Sequence, residues 1–98
     1  MTRVRFVEEA ETELLHEVQY YAQVQAHEAA KFRKAVEKAV ARLLNFPKAG
    51  PPYLAKTRRM FVQGYPFFLV YREEPDEIVV YAVVNESRRP GYWRSRAR

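Results

Sequence analysis

The chain has 98 residues, no cysteine and a formal net charge of +5. A chain of this length predicts one domain, residues 1–98, that buries roughly 60–70% of the surface exposed when unfolded. The lack of cysteine excludes disulfides and thiolate metal sites, and no apolar run has the length of a signal peptide or a membrane span. We therefore expect a cytoplasmic protein.

The first half of the chain predicts a strand followed by two helices. Residues 3–7 alternate between apolar and charged side chains, which is the period of a strand. Helical spacing of apolar residues predicts helices over about Glu8–Gln25 and Glu28–Phe46, with a break near Ala26 and His27. So short a link predicts an antiparallel helical hairpin. The predicted buried residues are Ala10, Leu14, Val18, Tyr21 and Ala22 in the first helix and Phe32, Val36, Ala39, Val40 and Leu43 in the second.

The second half of the chain predicts a three-stranded antiparallel meander. Apolar residues there recur with a period of two over Thr57–Gln63, Phe67–Arg72 and Ile78–Val84. The last two segments are apolar on both faces and are predicted as inner strands, whereas the charged first segment is predicted as an edge. The expected fold is α+β, with the helical hairpin packed on one sheet face.

The opposite sheet face is predicted to lack a complete cover. Its apolar side chains cannot all lie under a single helical hairpin, so an apolar groove is expected to be open to a partner. The residues concerned are Phe68, Val70, Val79, Tyr81 and Val83.

The C-terminal segment, residues 85–98, is basic, and its part from Arg88 onward accounts for the whole net charge of the chain. From Arg88 onward there are five arginines and no acidic residue, and the rest of the chain has 12 basic against 12 acidic residues. Pro90 and Gly91 predict a bend that presents Tyr92 and Trp93. Such a basic, aromatic segment favours an anionic partner. The alternative is that Trp93 packs on the core, because much of an indole ring favours burial.

The residue types exclude most catalytic chemistry. His16 and His27 form no metal-ligand set, so no metal and no cofactor are expected. Ser87 has no nearby histidine to act as a base. Cleavage of RNA by its own 2′-hydroxyl remains, because it needs only an acid, a base and cations on the phosphate. Candidates are Lys56, Arg58, Arg59, Arg72, Glu73, Arg88, Arg89 and Tyr92. Alternatively, Arg58 and Arg59 are edge-strand charges, and Arg72 pairs with Glu74 or Glu77.

The order of elements and several motifs resemble the RelE/ParE family of bacterial toxins, and the ParE-like branch fits best. The motifs are Tyr20-Tyr21, RLLNFPKAGPP (Arg42–Pro52), TRRMFV, YPFFLVY (Tyr65–Tyr71), and IVVYAVV leading into RRPGYW (Arg88–Trp93). The resemblance implies the toxin of a type II toxin–antitoxin module. A cognate antitoxin would bind its exposed grooves, and DNA gyrase would be its target. No enzymatic activity is implied for this branch.

Two alternatives remain open. A RelE-like member would cut messenger RNA on the ribosome, and Arg59, Arg89 and Tyr92 would then be the catalytic residues. Many relatives carry histidine where this chain has Asn85, and asparagine cannot exchange a proton near neutral pH, which favours the ParE-like branch. The second alternative is a non-toxic basic scaffold that binds nucleic acid directly, which is not favoured.

The sequence and the resemblance together predict two binding surfaces. The predicted target-binding residues are Arg58, Arg59, Arg88, Arg89, Tyr92, Trp93 and Arg94. The predicted antitoxin-binding residues are Phe68, Val70, Arg72, Val79, Tyr81 and Val83.

Overall fold

The structure, a computed structural model, describes residues 2–98. Within these residues five strands and two long helices occur. Their bounds are Arg3–Phe6 (β1), Glu8–Val24 (α1), Ala26–Asn45 (α2), Pro52–Tyr53 (β2), Thr57–Val62 (β3), Phe67–Glu73 (β4) and Glu77–Asn85 (β5), with short 3-10 helices at Leu54–Lys56 and Arg94–Ala97. The predicted α+β order of a strand, a helical hairpin and a strand meander is confirmed.

The strands form one mixed sheet in the order β1-β5-β4-β3-β2. β1 is parallel to β5, and all other neighbours are antiparallel. β4 and β5 are interior, as their two apolar faces predicted. β3 is covered on its outer side only where β2 pairs with Thr57 and Arg58. The remainder of β3 is therefore the edge that the sequence predicted.

A single residue links the two helices. Gln25 is extended, with φ −161° and ψ 143°, and α2 begins at Ala26. The predicted break at Ala26 and His27 is therefore corrected to Gln25, and His27 lies in the first turn of α2. Alanine is the strongest helix former, which is consistent with Ala26 joining the helix.

The buried faces of the helices largely match the predicted apolar stripes. α1 buries Ala10 and Val18, Leu14 and Tyr21 are half-buried against the core, and Ala22 is exposed. α2 buries Phe32, Val36, Ala39 and Leu43.

The sheet separates two apolar cores. The helix-side core contains the buried residues of both helices together with β-strand residues such as Leu69, Tyr71 and Val80. The C-terminal core, on the opposite face, contains side chains of β4 and β5 packed around Trp93 and Ala97. Trp93 is fully buried, so the C-terminal segment covers the face that the helices leave open.

This cover corrects the prediction of an open apolar groove. The five side chains expected to line it are all buried, with exposed fractions of 4% for Phe68, 0% for Val70, 2% for Val79, 8% for Tyr81 and 3% for Val83. The chain's own Trp93 occupies the position that was predicted to be open to a partner.

A β-bulge corrects the assignment of Val83 to this face. The register between β4 and β5 shifts at Val70 and Tyr71, and Tyr81 has no opposite residue. One extra residue reverses the alternation of side chains that follows. Tyr81 and Ala82 consequently both enter the C-terminal core, and Val83 packs in the helix-side core.

The carboxylate of Glu13 ties α1 to β5 and to the C-terminal segment. Its Oε1 accepts hydrogen bonds from the Val83 backbone N–H at 3.0 Å and from Arg96 Nη1 at 2.9 Å. Its Oε2 accepts from the Tyr92 hydroxyl at 2.6 Å. One side chain therefore holds three segments together.

Glu13 and Arg96 supply hydrogen-bond partners to backbone groups on an open edge of β5. β1 pairs with β5 only as far as the Phe6–Val80 pair, which leaves the following residues of β5 without a strand neighbour on that side. Glu13 accepts the Val83 N–H, and Arg96 Nη1 donates to the Tyr81 carbonyl at 3.1 Å. Side chains thus supply the partners that buried backbone groups require.

Trp93→Ala is expected to lower the free energy of unfolding by about 3–5 kcal/mol, because it empties the centre of the C-terminal core. Arg94→Ala, at the exposed neighbouring position, is the control and should change it by less than about 0.5 kcal/mol. Denaturant unfolding followed by circular dichroism measures both. A loss below about 1 kcal/mol for Trp93→Ala would contradict its assignment to the core.

Glu13→Ala is expected to cost about 2–3 kcal/mol, because it leaves Arg96 and the Val83 N–H without their acceptor. The estimate is at the lower end for an ion pair because both side chains keep some solvent exposure, 17% for Arg96 and 18% for Glu13. Glu11→Ala, exposed on the same helix, should cost only a few tenths of a kcal/mol. The fluorescence of Trp93 measures whether the C-terminal segment detaches, and equal stability of the two variants would contradict the role of Glu13.

Candidate functional site

Arg59 lies in a box of aromatic rings on the sheet face that carries the C-terminal core. Its guanidinium carbon is 4.5 Å from the ring centre of Tyr53, 5.2 Å from Phe61 and 5.3 Å from Phe68. Arg59 and Phe61 share this face because they are two residues apart on β3. Among residues 2–98 no carboxylate pairs with Arg59, and its buried Nε has no hydrogen-bond partner.

A cavity of about 350 Å³ opens beside this box, and we call it the Arg59 pocket. Its lining is completed by Val84, Glu86, Arg88 and Pro90, in addition to Tyr53, Arg59, Phe61 and Phe68. A partly desolvated guanidinium attracts anions more strongly than one in bulk water does. The pocket therefore offers two cations, aromatic walls and one carboxylate to a ligand.

The arginines that begin the C-terminal segment remain on the surface. Arg88 stacks on the Tyr92 ring, 4.1 Å from its centre, at the rim of the Arg59 pocket. Arg89 and Arg94 are exposed, and neither makes an ion pair within residues 2–98. Gly91 has φ +79°, a conformation that favours glycine and that produces the predicted bend. The bend keeps the arginines outside while the two aromatic residues turn inward.

Three of the predicted target-binding residues instead make contacts within the fold of the chain itself. Trp93 is fully buried, so the prediction that it contacts a target is corrected. The Tyr92 hydroxyl is bonded to Glu13. Arg58 does not join Arg59, because successive residues of a strand point to opposite faces.

Arg58 fixes the loop between α2 and β2. Its Nη1 donates to the carbonyls of Lys48 and Gly50, at 3.2 and 2.8 Å. Tyr71 reinforces the loop by donating to the Pro47 carbonyl at 2.7 Å. A Cβ at Gly50 would lie 2.5 Å from the Tyr71 hydroxyl oxygen, so the loop requires glycine there.

Arg72, predicted to contact an antitoxin, holds together two segments of the same chain. Its Nη2 donates to the carbonyls of Ala55 at 2.6 Å and Ala97 at 2.9 Å. Ala55 and Lys56 both have positive φ, which strains residues other than glycine. Arg72 thus connects a strained turn to the C-terminal segment. The predicted ion pair with Glu74 is long, with 4.0 Å between Arg72 Nη1 and Glu74 Oε1.

The predicted ribonuclease set, Arg59, Arg89 and Tyr92, contains no free proton-transfer group. Burial, and then the hydrogen bond to Glu13, raise the pKa of Tyr92 well above its ordinary value. The resemblance implies histidine at position 85 in many relatives. In this chain the position is Asn85, whose Oδ1 accepts hydrogen bonds from the backbone N–H and the hydroxyl of Ser87. The carboxylate at the pocket is that of Glu86, which was not among the site residues predicted from the sequence.

No group of three histidine or acidic side chains within residues 2–98 is placed to hold a metal ion. None of the helices that these residues form is both long and apolar enough to cross a membrane.

The raised pKa of Tyr92 predicts a loss of stability at alkaline pH. Its folded-state pKa lies above that of an unfolded tyrosine, about 10. The stabilisation is therefore complete below about pH 10 and decreases as the pH rises toward the folded-state pKa. Tyr92→Phe should be less stable than the wild type at pH 8, but should lose less stability between pH 9 and 11.

Urea unfolding at several pH values measures this difference. Tyr20→Phe, at an exposed site on α1, is the matched control and should follow the wild-type curve. A Tyr92→Phe curve that runs parallel to the wild type would contradict the pKa assignment.

Comparisons with known proteins identify the family. A family model described as the ParE toxin of type II toxin–antitoxin system, parDE, matches residues 4–90. No curated protein is similar enough to count as a match. The fold is similar to a solved structure described as the chromosomal ParDE TA system from P. aeruginosa, with a TM-score of 0.74 and 17% identity over 87% of this chain and 96% of that chain. The resemblance seen in the sequence is thus confirmed, and the chain belongs to the ParE toxin family of type II toxin–antitoxin systems.

Proposed function

We propose that this ParE-family toxin inhibits DNA gyrase without catalysing a reaction, and that a cognate antitoxin neutralises it. The observation that carries the proposal is the group of exposed arginines Arg88, Arg89 and Arg94, adjoining the Arg59 pocket. Arginines held on a rigid support lose little entropy when they bind, which is typical of binding hot spots. Trp93 supplies that support by anchoring the segment in the C-terminal core.

The bonding of Tyr92 favours inhibition by binding over RNA cleavage. A general acid needs a pKa near the working pH, and the pKa of Tyr92 is raised away from it. Its hydroxyl also donates to Glu13, which directs it away from a substrate in the Arg59 pocket. Tyr92 therefore positions Arg88, whose guanidinium lies over the Tyr92 ring.

The family description, which names a toxin–antitoxin system, supports a cognate antitoxin as partner. The predicted antitoxin contacts at the C-terminal core are covered by the chain itself. In this proposal the antitoxin therefore contacts surfaces that remain open, such as the sheet edges and the helical hairpin. Cytoplasmic action follows from the proposed target.

Arg89→Ala and Arg94→Ala are each expected to weaken gyrase inhibition about tenfold, a typical loss for a binding arginine. The assays are growth arrest on induced expression and inhibition of supercoiling by purified gyrase. Because both side chains are exposed, thermal stability should not change. Arg33→Ala, which removes an exposed cation from α2, is the control and should keep full activity.

Full activity of both Arg89→Ala and Arg94→Ala would contradict the proposed target-binding role of the C-terminal segment. Cleavage of ribosome-bound transcripts, lost in Arg59→Ala or Glu86→Gln, would replace the proposal with an endoribonuclease. Binding to nucleic acid without growth arrest would instead favour the scaffold alternative.

A further inference from the structure

A row of cations follows one side of α2, and we call it the basic stripe. It consists of Lys31, Lys34, Lys38 and Arg42, which recur at spacings of three and four residues and therefore share a side of the helix. The three lysines are exposed, and Arg42 is half-buried. With Ala35 and Gln63 they line a groove of about 320 Å³, and no acidic side chain among residues 2–98 is part of this lining.

The charges of the basic stripe are largely uncompensated within the chain. Among residues 2–98, Lys34, Lys38 and Arg42 form no ion pair. The fourth member, Lys31, is 3.8 Å from a carboxylate oxygen of Glu28. Like charges three and four residues apart on a helix repel one another and destabilise it. A bound polyanion would relieve this repulsion.

The length of the basic stripe suits a strand of nucleic acid. Lys31 and Arg42 are separated by about three turns of α2, so the stripe extends about 16 Å along the helix axis. Arg42 Nη2 donates to the Phe61 carbonyl at 2.6 Å, which fixes one end of the stripe at the edge of the sheet. Each strand of a DNA duplex carries one phosphate about every 3.4 Å along the axis. The stripe can therefore lie against roughly five consecutive phosphates.

We propose that the basic stripe binds the phosphate backbone of duplex DNA without reading its sequence. Lysines bind phosphate as flexible point charges and need no fixed orientation. Contacts to phosphate supply affinity that is independent of sequence. This binding is independent of the proposed target and uses a different surface from the C-terminal segment. It would concentrate the toxin on DNA.

The composition of the groove favours a nucleic acid over a protein partner. Lysine is depleted at protein–protein interfaces, where binding energy comes mainly from buried tryptophan, tyrosine and arginine. Within the described part of the chain, the groove has three lysines, and the methyl group of Ala35 is its only apolar side chain. Interfaces with nucleic acid, in contrast, are polar and strongly positive. The groove thus lacks an apolar anchor for a peptide but has the charge that a phosphate backbone requires.

The same lining favours a DNA duplex over single-stranded nucleic acid and over duplex RNA. Proteins bind single strands by stacking bases on aromatic side chains, and none of the aromatic residues described by the structure lines the groove. Duplex RNA is recognised by its shape and through its 2′-hydroxyls, and Gln63 alone offers an uncharged polar side chain to such groups in the described lining. Phosphate contacts are sufficient for binding to DNA irrespective of sequence.

The test follows the fluorescence anisotropy of a labelled DNA duplex of arbitrary sequence over a range of salt concentrations. Removal of one phosphate contact makes the plot of log association constant against log salt concentration less steep by about 0.9. Lys38→Ala should show this change, and its association constant should fall roughly eightfold at about 0.1 M salt. Its melting temperature should equal that of the wild type, because Lys38 is exposed.

Arg33→Ala is the matched control. It removes one exposed cation from the same helix, at a position about 140° around the helix axis from Lys38. Its affinity and its salt dependence should equal those of the wild type. Arg89→Ala removes one exposed cation from the C-terminal segment and should change the salt dependence less than Lys38→Ala does. A larger change in Arg89→Ala would assign DNA binding to the C-terminal segment and overturn the inference.

Lysine acetylation measured by mass spectrometry locates the site in the wild type. A bound DNA duplex should protect Lys34 and Lys38, whereas Lys56, which is exposed outside the groove, should react as in the free protein. Unchanged acetylation of Lys34 and Lys38, or equal salt dependence of Lys38→Ala and Arg33→Ala, would overturn the inference while leaving the proposed function intact. Tighter binding of labelled polyglutamate than of duplex DNA, lost in Lys38→Ala, would replace DNA with an acidic peptide.

Discussion

The hydrogen bonds of the Glu13 carboxylate are the interaction on which both faces of the molecule depend. They connect residues 70, 79 and 83 positions apart in sequence. Charge-assisted bonds of this kind are about twice as strong as neutral ones. The same carboxylate fixes α1 against β5 and places Tyr92, so the position of the helical hairpin and the docking of the C-terminal segment are coupled. Displacement of the helical hairpin or of the C-terminal segment would leave a buried polar group without its hydrogen-bond partner.

The arginines of β3, β4 and the C-terminal segment differ in what their guanidinium groups contact. Arg58, Arg72 and Arg96 donate to backbone carbonyls and hold loops or strand ends in place. Arg88, Arg89 and Arg94 remain exposed and are available to a partner. Arg59 belongs to neither group, because aromatic rings surround it and its Nε has no acceptor. The net charge of the chain therefore overstates the charge that a target can meet.

Periodicity was sufficient to predict the fold, because helices and strands impose their spacing on apolar residues locally. The buried stripe of α2 and the inner position of β4 and β5 followed from that spacing. The cover of the second sheet face could not be predicted in this way, since Trp93 reaches it through tertiary packing. The role of Glu13 had no local signal either, because acidic residues near the start of a helix are already explained by the helix dipole. Phe61 could have been assigned to the Arg59 pocket from its two-residue spacing on β3.

The bulge in β5 makes this strand unequally tolerant of changes in length. Removing Tyr81 would restore strict alternation and leave Ala82, Val83 and Val84 on the faces they now occupy. Removing Val83 instead would transfer Val84 and Asn85 to the opposite faces and bring a polar side chain into register with the C-terminal core. Removing Ala82 would have the same effect as removing Tyr81, because Tyr81 and Ala82 lie on the same face. Among descendants of this sequence, loss of a codon should therefore survive at positions 81 and 82 more often than at Val83 or Val84. At the bulge the chain can therefore lose one residue without moving the following side chains of β5 to the opposite faces of the sheet.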